Sequence, residues 1–207
     1  MRRLLTWLAA LLLLVVCTFY LATRLNVNPT RSVGEVIDTF NGVHVFYNGG
    51  VGHVSERVLS PDGYNIGLKY QCVEFVKRYY YERFGHKMPM DRGHAKDFYN
   101  PSIKNGELNL ERGLLQFSNG MGDMPKVEDL VVFSPWLLNR YGHVAIVSAV
   151  GADFVEVIQQ NPGPFGSSRE RYAIIFDTGT ARIDHPRLLG WLRRPPPPEL
   201  ARLGRMT

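Results

Sequence analysis

From Leu4 to Ala22 the chain is almost wholly apolar, broken only by Thr6 and Thr18. A run of this kind in a bilayer folds as a helix, because only a helix or a closed barrel satisfies its backbone groups without water. Its nineteen residues are close to the roughly 20 that cross the hydrocarbon core. They exceed the ~7–15-residue apolar core of a cleaved signal peptide. Cleavage after Ala22 would place bulky Tyr20 at the third position before the bond, and Cys17 follows Val16, where a lipoprotein signal needs a small residue. We therefore read residues 4–22 as an uncleaved transmembrane signal anchor. The excess of positive charge on cytoplasmic flanks puts Arg2 and Arg3 inside, with Arg24 as a weaker opposing charge. The rest of the chain is then extracytoplasmic, in a periplasm or on an outer face, on a single-pass anchor.

At 207 residues the chain has room for one domain with a substantial core. Of its 24 Lys and Arg residues, Arg2, Arg3, Arg24 and Arg31 belong to the N-terminal segment, leaving 20 against 19 acidic residues. That near-neutral remainder, with no basic run interleaved with aromatics, excludes a nucleic-acid partner. The two cysteines, Cys17 and Cys72, fall in the membrane segment and in the domain, so they do not form a disulfide together. An unpaired cysteine in an oxidising compartment flags a reactive thiol.

Residues 23–33 read as a polar tether, 34–194 as the domain, and 195–207 as a proline-rich tail of polyproline II character. Val36 to Tyr47 reads as strand or loop. The clearest helix runs from Cys72 to Phe84: Val73, Val76, Tyr80 and Phe84 recur on one side, Glu74, Lys77, Arg78 and Glu82 mark a wetter one, and Gly85 stops it. A second helix is expected near 93–99, and the Gly- and Asn-containing stretch 102–125 reads as a surface excursion. From Glu128 the apolar period switches to two. Strands are expected at Leu130–Phe133, His143–Val150, Phe154–Gln159 and Arg171–Phe176, with a last short one near Leu189–Leu192. Helix first and antiparallel strands afterwards describe an α+β domain with its helix packed on one face of the sheet.

Cys72 opens that helix, where the positive end of the macrodipole favours the thiolate. His143 opens an apolar strand about seventy residues later. A cysteine followed at distance by a histidine is the outline of a thiol amidase or peptidase. A hairpin loop of Val150-Gly151-Ala152 would set His143 directly opposite Gln159, with Asn161 two residues on and on the same face; a two-residue loop would bring Gln160 opposite instead. The amide of Gln159 or of Asn161 can accept from the imidazole and fix its tautomer. The first amides of the helix, that of Cys72 included, face the place where an oxyanion would form. His44, His53, His86, His94 and His185 are scattered without metal-ligand spacing, so no metal or other cofactor is expected.

Tyr-Gln-Cys-Val-Glu-Phe at 70–75, Glu-Asp-Leu-Val-Val-Phe at 128–133, Gly-His-Val-Ala-Ile-Val at 142–147 and Gln-Gln-Asn at 159–161 resemble the CHAP family of cysteine, histidine-dependent amidohydrolases/peptidases. Within it, Gly-Leu-Lys-Tyr-Gln-Cys-Val-Glu and Leu-Gly-Trp-Leu are most similar to the amidase domain of bifunctional glutathionylspermidine synthetase/amidase. The resemblance covers about residues 34–194 and implies a papain-like α+β fold with Cys72 as nucleophile and His143 as base. Gln159 stands where these relatives usually have Glu, which leaves Gln159 and Asn161 as rivals for the third position. The expected activity is amide hydrolysis. Extracytoplasmic placement makes peptidoglycan peptides the expected substrate; a glutathionylspermidine-like conjugate and a silent binding module are the alternatives. Oligomeric state is not legible.

Overall fold

The computed structural model describes residues 2–137, 139–177 and 180–196. The expected proline-rich tail therefore lies outside the described residues from position 197 on. Helix α1 spans Arg2–Arg24 and buries none of its residues against the rest of the chain. It is long and apolar enough to cross a membrane, a property it shares with signal sequences.

Strands β1 (Val36–Phe40) and β2 (Val43–Phe46) form one hairpin, and β3 (Arg57–Leu59) and β4 (Asn65–Leu68) a second. Helix α2 follows at Cys72–Phe84 and ends as expected at Gly85, which takes the left-handed conformation at φ 61° and donates its N–H to Tyr80 and Tyr81 carbonyls. A 3-10 turn at Ala95–Phe98 replaces the second helix expected near 93–99. The remaining strands are β5 (Leu108–Asn109), β6 (Leu114–Ser118), β7 (Leu130–Phe133), β8 (His143–Val150), β9 (Phe154–Ile158), β10 (Arg169–Asp177), β11 (Thr180–Ile183) and β12 (Leu188–Arg193). They make one antiparallel sheet in the order β11-β10-β9-β8-β7-β12-β6-β5. The α+β architecture with its helix on a sheet face is thus present.

The sheet is buried on both faces, which explains why β7 and β8 read as nearly continuous apolar runs rather than clean alternations. On one face Val132, Val144, Ile146 and Ile158 pack with Phe75, Val76, Tyr79 and Tyr80 of α2. On the other, Val131, Ala145, Val147 and Val157 surround Trp191, with Phe117 and Phe133. Each such side chain fully buried contributes on the order of 1.5–3 kcal/mol.

Two expectations fail for the same reason. Glu74 and Lys77, assigned to a wet side of α2, are buried, because the β3–β4 hairpin covers that flank. Lys77 donates to the carbonyls of Asn65 and Asp91, and burial lowers its pKa to about 8. The stretch 102–125 is not a surface excursion: it supplies β5 and β6, with Leu114 and Gln116 fully buried. Its amides misled the reading because they cap backbone inside the fold. Gln116 accepts from the Asn100 N–H at 3.0 Å and donates to the Asn100 carbonyl at 2.7 Å.

Residues 23–28 are bonded to the domain. The Gly52 N–H bonds the Thr23 carbonyl at 2.8 Å, Arg24 donates to the Gly52 carbonyl at 2.8 Å, Asn28 to that of Pro164 at 2.8 Å, and Tyr47 to Asn26 Oδ1 at 3.0 Å. Gly50 is required here, since a Cβ at that position would sit 2.5 Å from the Thr23 carbonyl oxygen.

Candidate active site

Cys72 is the first residue of α2, and Gln71 caps the helix in extended conformation with no side-chain bond to its amides. The orphan N–H groups of a helix start therefore face the thiol. The backbone N–H groups of Val144 in β8, and of Val73 and Cys72 at the helix start, favour the charged form of Sγ. Val144 is free to donate because β8 pairs with β7 through its odd residues, as in the Val147 N–H to Asp129 carbonyl bond of 2.8 Å. Its own N–H points toward β9, which has ended at Ile158.

Only 9% of Cys72 is exposed. Burial outweighs the three N–H groups and pushes the thiol up to about 11. The thiolate expected from the helix terminus is thus not the resting form: desolvation of the sulfur exceeds the help from the dipole.

His143 heads β8 after Gly142, whose φ of 75° and whose position 2.6 Å from the Phe133 carbonyl oxygen, measured to an added Cβ, admit no other residue without strain. The half-buried imidazole lies 6.0 Å from the Phe133 ring. Burial lowers its pKa to about 4, against the opposing effect of a hydrogen bond with Gln159. Thiol and imidazole are both neutral at rest. Sγ sits at the residue next to His143, but among the described residues no hydrogen bond joins the two side chains.

The hairpin register differs from the expected one, while its consequence survives. The Gly151 N–H bonds the Phe154 carbonyl at 2.8 Å, so the loop is Ala152-Asp153. An irregularity between Val147 and Ala149 then shifts the pairing to Val147↔Val157 and Ile146↔Ile158. The two-residue shift from the expected pairing keeps every side chain on its face. Gln159 becomes the diagonal rather than the direct neighbour of His143, and its Oε1 lies 2.8 Å from His143 Nε2. Asn161 does not share that face. It adopts φ 60° and turns its amide to the Val51 carbonyl and Gln71 Oε1, both at 2.9 Å.

The role of Gln160, considered only as an alternative partner of His143, and that of Glu170 were missed. Gln160 is fully buried, accepts from the Phe46 N–H at 2.8 Å, and donates to Glu74 at 2.7 Å and the Gln71 carbonyl at 3.1 Å. Glu170 accepts from Gln159 Nε2 at 3.2 Å and from the Tyr172 hydroxyl at 2.8 Å. Alternation along β10 was the available signal for Glu170, had that strand been started at Arg169 rather than Arg171.

A thiol on a helix start beside an imidazole at a strand start is a layout suited to acyl transfer. Residues 62–161 match the family model of the CHAP domain; the chain carries a CHAP domain. That supports an amidase or peptidase activity in general terms.

The chain is similar to trypanothione synthetase of Crithidia fasciculata, 27% identical over 125 residues, 60% of this chain and 18% of that protein. It is also similar to glutathionylspermidine synthase of Crithidia fasciculata, 32% identical over 141 residues, 61% of this chain and 19% of that protein. The chain thus spans less than a fifth of the length of either relative.

Proposed function

We propose that this chain is a thiol-dependent amide hydrolase, held at a membrane by α1 with its domain on the extracytoplasmic side, that cleaves peptidoglycan peptides. The observation that carries the chemistry is the 2.8 Å bond between His143 Nε2 and Gln159 Oε1. With Nε2 engaged, Nδ1 is the ring nitrogen left to act as base.

In this mechanism the Cys72 thiol loses its proton to His143 Nδ1 as Sγ attacks the amide carbonyl. The oxyanion accepts N–H bonds at the start of α2. Collapse of the tetrahedral intermediate breaks the C–N bond, and His143 returns the proton to the leaving amine. Water, deprotonated by His143, then hydrolyses the thioester and regenerates the thiol. Gln159 is the third member and Asn161 a support for Gln71. Residues 34–194 are the unit that does this work.

The compartment supports the substrate, since cell wall is the abundant amide polymer outside the cytoplasm. A second reading has its own support: the names of both relatives concern glutathionylspermidine and trypanothione, which favours a small glutathionylspermidine-like conjugate. Incubating the full chain, and its Cys72→Ala variant, with purified sacculi and with such a conjugate decides between them. New amino groups in sacculi, identified by mass spectrometry and lost in the variant, are the expected result. Conjugate cleavage alone selects the second reading. Binding without cleavage of either makes the domain a silent binding module.

A further inference from the structure

We propose that Glu170 is a positioning residue for His143: acting through Gln159, it fixes the imidazole in its Nε2–H tautomer and lends it a negative charge that a neutral amide lacks. The proposal rests on the reading of His143 as base, and it concerns a residue outside the Cys72–His143–Gln159 set.

The orientation of the Gln159 amide decides the tautomer, and acceptors decide that orientation. Gln159 Nε2 faces two groups that only accept, the Ser167 carbonyl at 3.1 Å and Glu170 Oε2 at 3.2 Å. Its Oε1 is thereby turned to His143. An amide oxygen accepts only, so the proton of the neutral imidazole sits on Nε2, and Nδ1 keeps its lone pair. Flipping the amide would set Oε1 against a carboxylate and a carbonyl.

Glu170 is itself held. It lies in β10, in register with Val157 of β9, so it is diagonal to Gln159 on the same face, and the Tyr172 hydroxyl clamps Oε2 at 2.8 Å. A carboxylate placed directly on an imidazole both orients it and balances imidazolium. In this chain the two roles are divided: the amide touches the ring, and the carboxylate stands one hydrogen bond further out. Glu170 is solvent-exposed, so water screens its charge and its electrostatic effect is modest.

The charged groups that act on the ring are Glu170 and Arg187; Tyr172 and His185 pack on Phe133, which lies against the imidazole. Arg187 opposes the imidazolium and Glu170 favours it. Removing the Glu170 charge leaves Arg187 unopposed, so imidazolium forms only at lower pH.

The test is nitrogen-15 NMR of the His143 ring in the full chain in detergent micelles, through a pH titration. Glu170→Gln retains an acceptor for Gln159 and loses only the charge. It is expected to keep the Nε2–H tautomer and lower the His143 pKa by about 0.3–1 unit. Glu170→Ala loses both, leaving only the Ser167 carbonyl to hold Gln159 Nε2, and is expected to raise the share of the Nδ1–H tautomer. Arg171→Gln, an equal change of charge magnitude on a neighbouring exposed residue, is expected to leave tautomer and pKa as they are. Unchanged ring signals in both Glu170 variants would overturn the proposal, as would an equal response to Arg171→Gln. Because the readout is the ring itself, absence of amide hydrolysis removes the proposed function without altering this outcome. Where hydrolysis is present, Glu170→Gln is expected to move the acid limb of kcat to lower pH and cut its plateau about three- to tenfold.

Discussion

Gln159, Gln160 and Asn161 follow one another in the chain, yet each amide serves a different neighbour. The first takes the imidazole, the second the start of α2, the third the Gln71 side chain before Cys72. Gln159→Ala is expected to lower turnover about ten- to a hundredfold, at or below the foot of the ~10²–10⁴ that acid–base catalysis carries, because the base itself remains. Asn161→Ala is expected to change it less than about threefold, because Asn161 touches neither the thiol nor the ring; kcat of the two variants on one substrate checks this. The neutral thiol has its own signature. Iodoacetamide is expected to alkylate Cys72 more slowly than a free thiol at pH 7, with the rate climbing as pH approaches about 11, since only thiolate reacts. Peptide mapping separates this label from Cys17. Alkylation at pH 7 faster than a free thiol would show that an ion pair with His143 exists at rest.

At the scale of elements, α2 and the β8–β9 hairpin are joined through Gln160. Gln160→Ala leaves the Phe46 N–H without its partner and takes one hydrogen bond from buried Glu74, which keeps Arg78 at 2.6 Å. A loss of about 2–4 kcal/mol is expected, read as a lower thermal midpoint. α2 and the strands β7 to β9 were legible because their apolar patterns are strong and Gly85 ends the helix unambiguously. The partner of His143 was legible too, although the loop was not, because parity and not register places a side chain on a face. What escaped was tertiary. Glu74 and Lys77 carry the chemistry of a wet surface, and nothing local in the sequence says that a hairpin covers them. Gln160 looks like any glutamine until the backbone it serves is in place.

At the scale of the whole molecule, the end of α1 and the domain meet through residues 23–28 and the loops around Gly52 and Pro164. Double substitution Asn26→Ala, Asn28→Ala is expected to speed amide hydrogen exchange in residues 48–53 and 162–166. The β7–β9 core, which makes none of these bonds, keeps its protection. Equal protection in both regions would mean that the docking contributes nothing in solution.

Eleven free residues would let a domain roam up to ~40 Å from its anchor. Bonded down as these are, they act as a pedestal. For the membrane-anchored hydrolase proposed above, Cys72 would have a set working height: it would meet what lies in the thin layer beside the lipid, with encounter governed by surface density rather than by reach. On that reading a target further out would have to be brought to the domain, and lengthening the chain between Arg24 and Asn28 is the change that would let the domain go to the target.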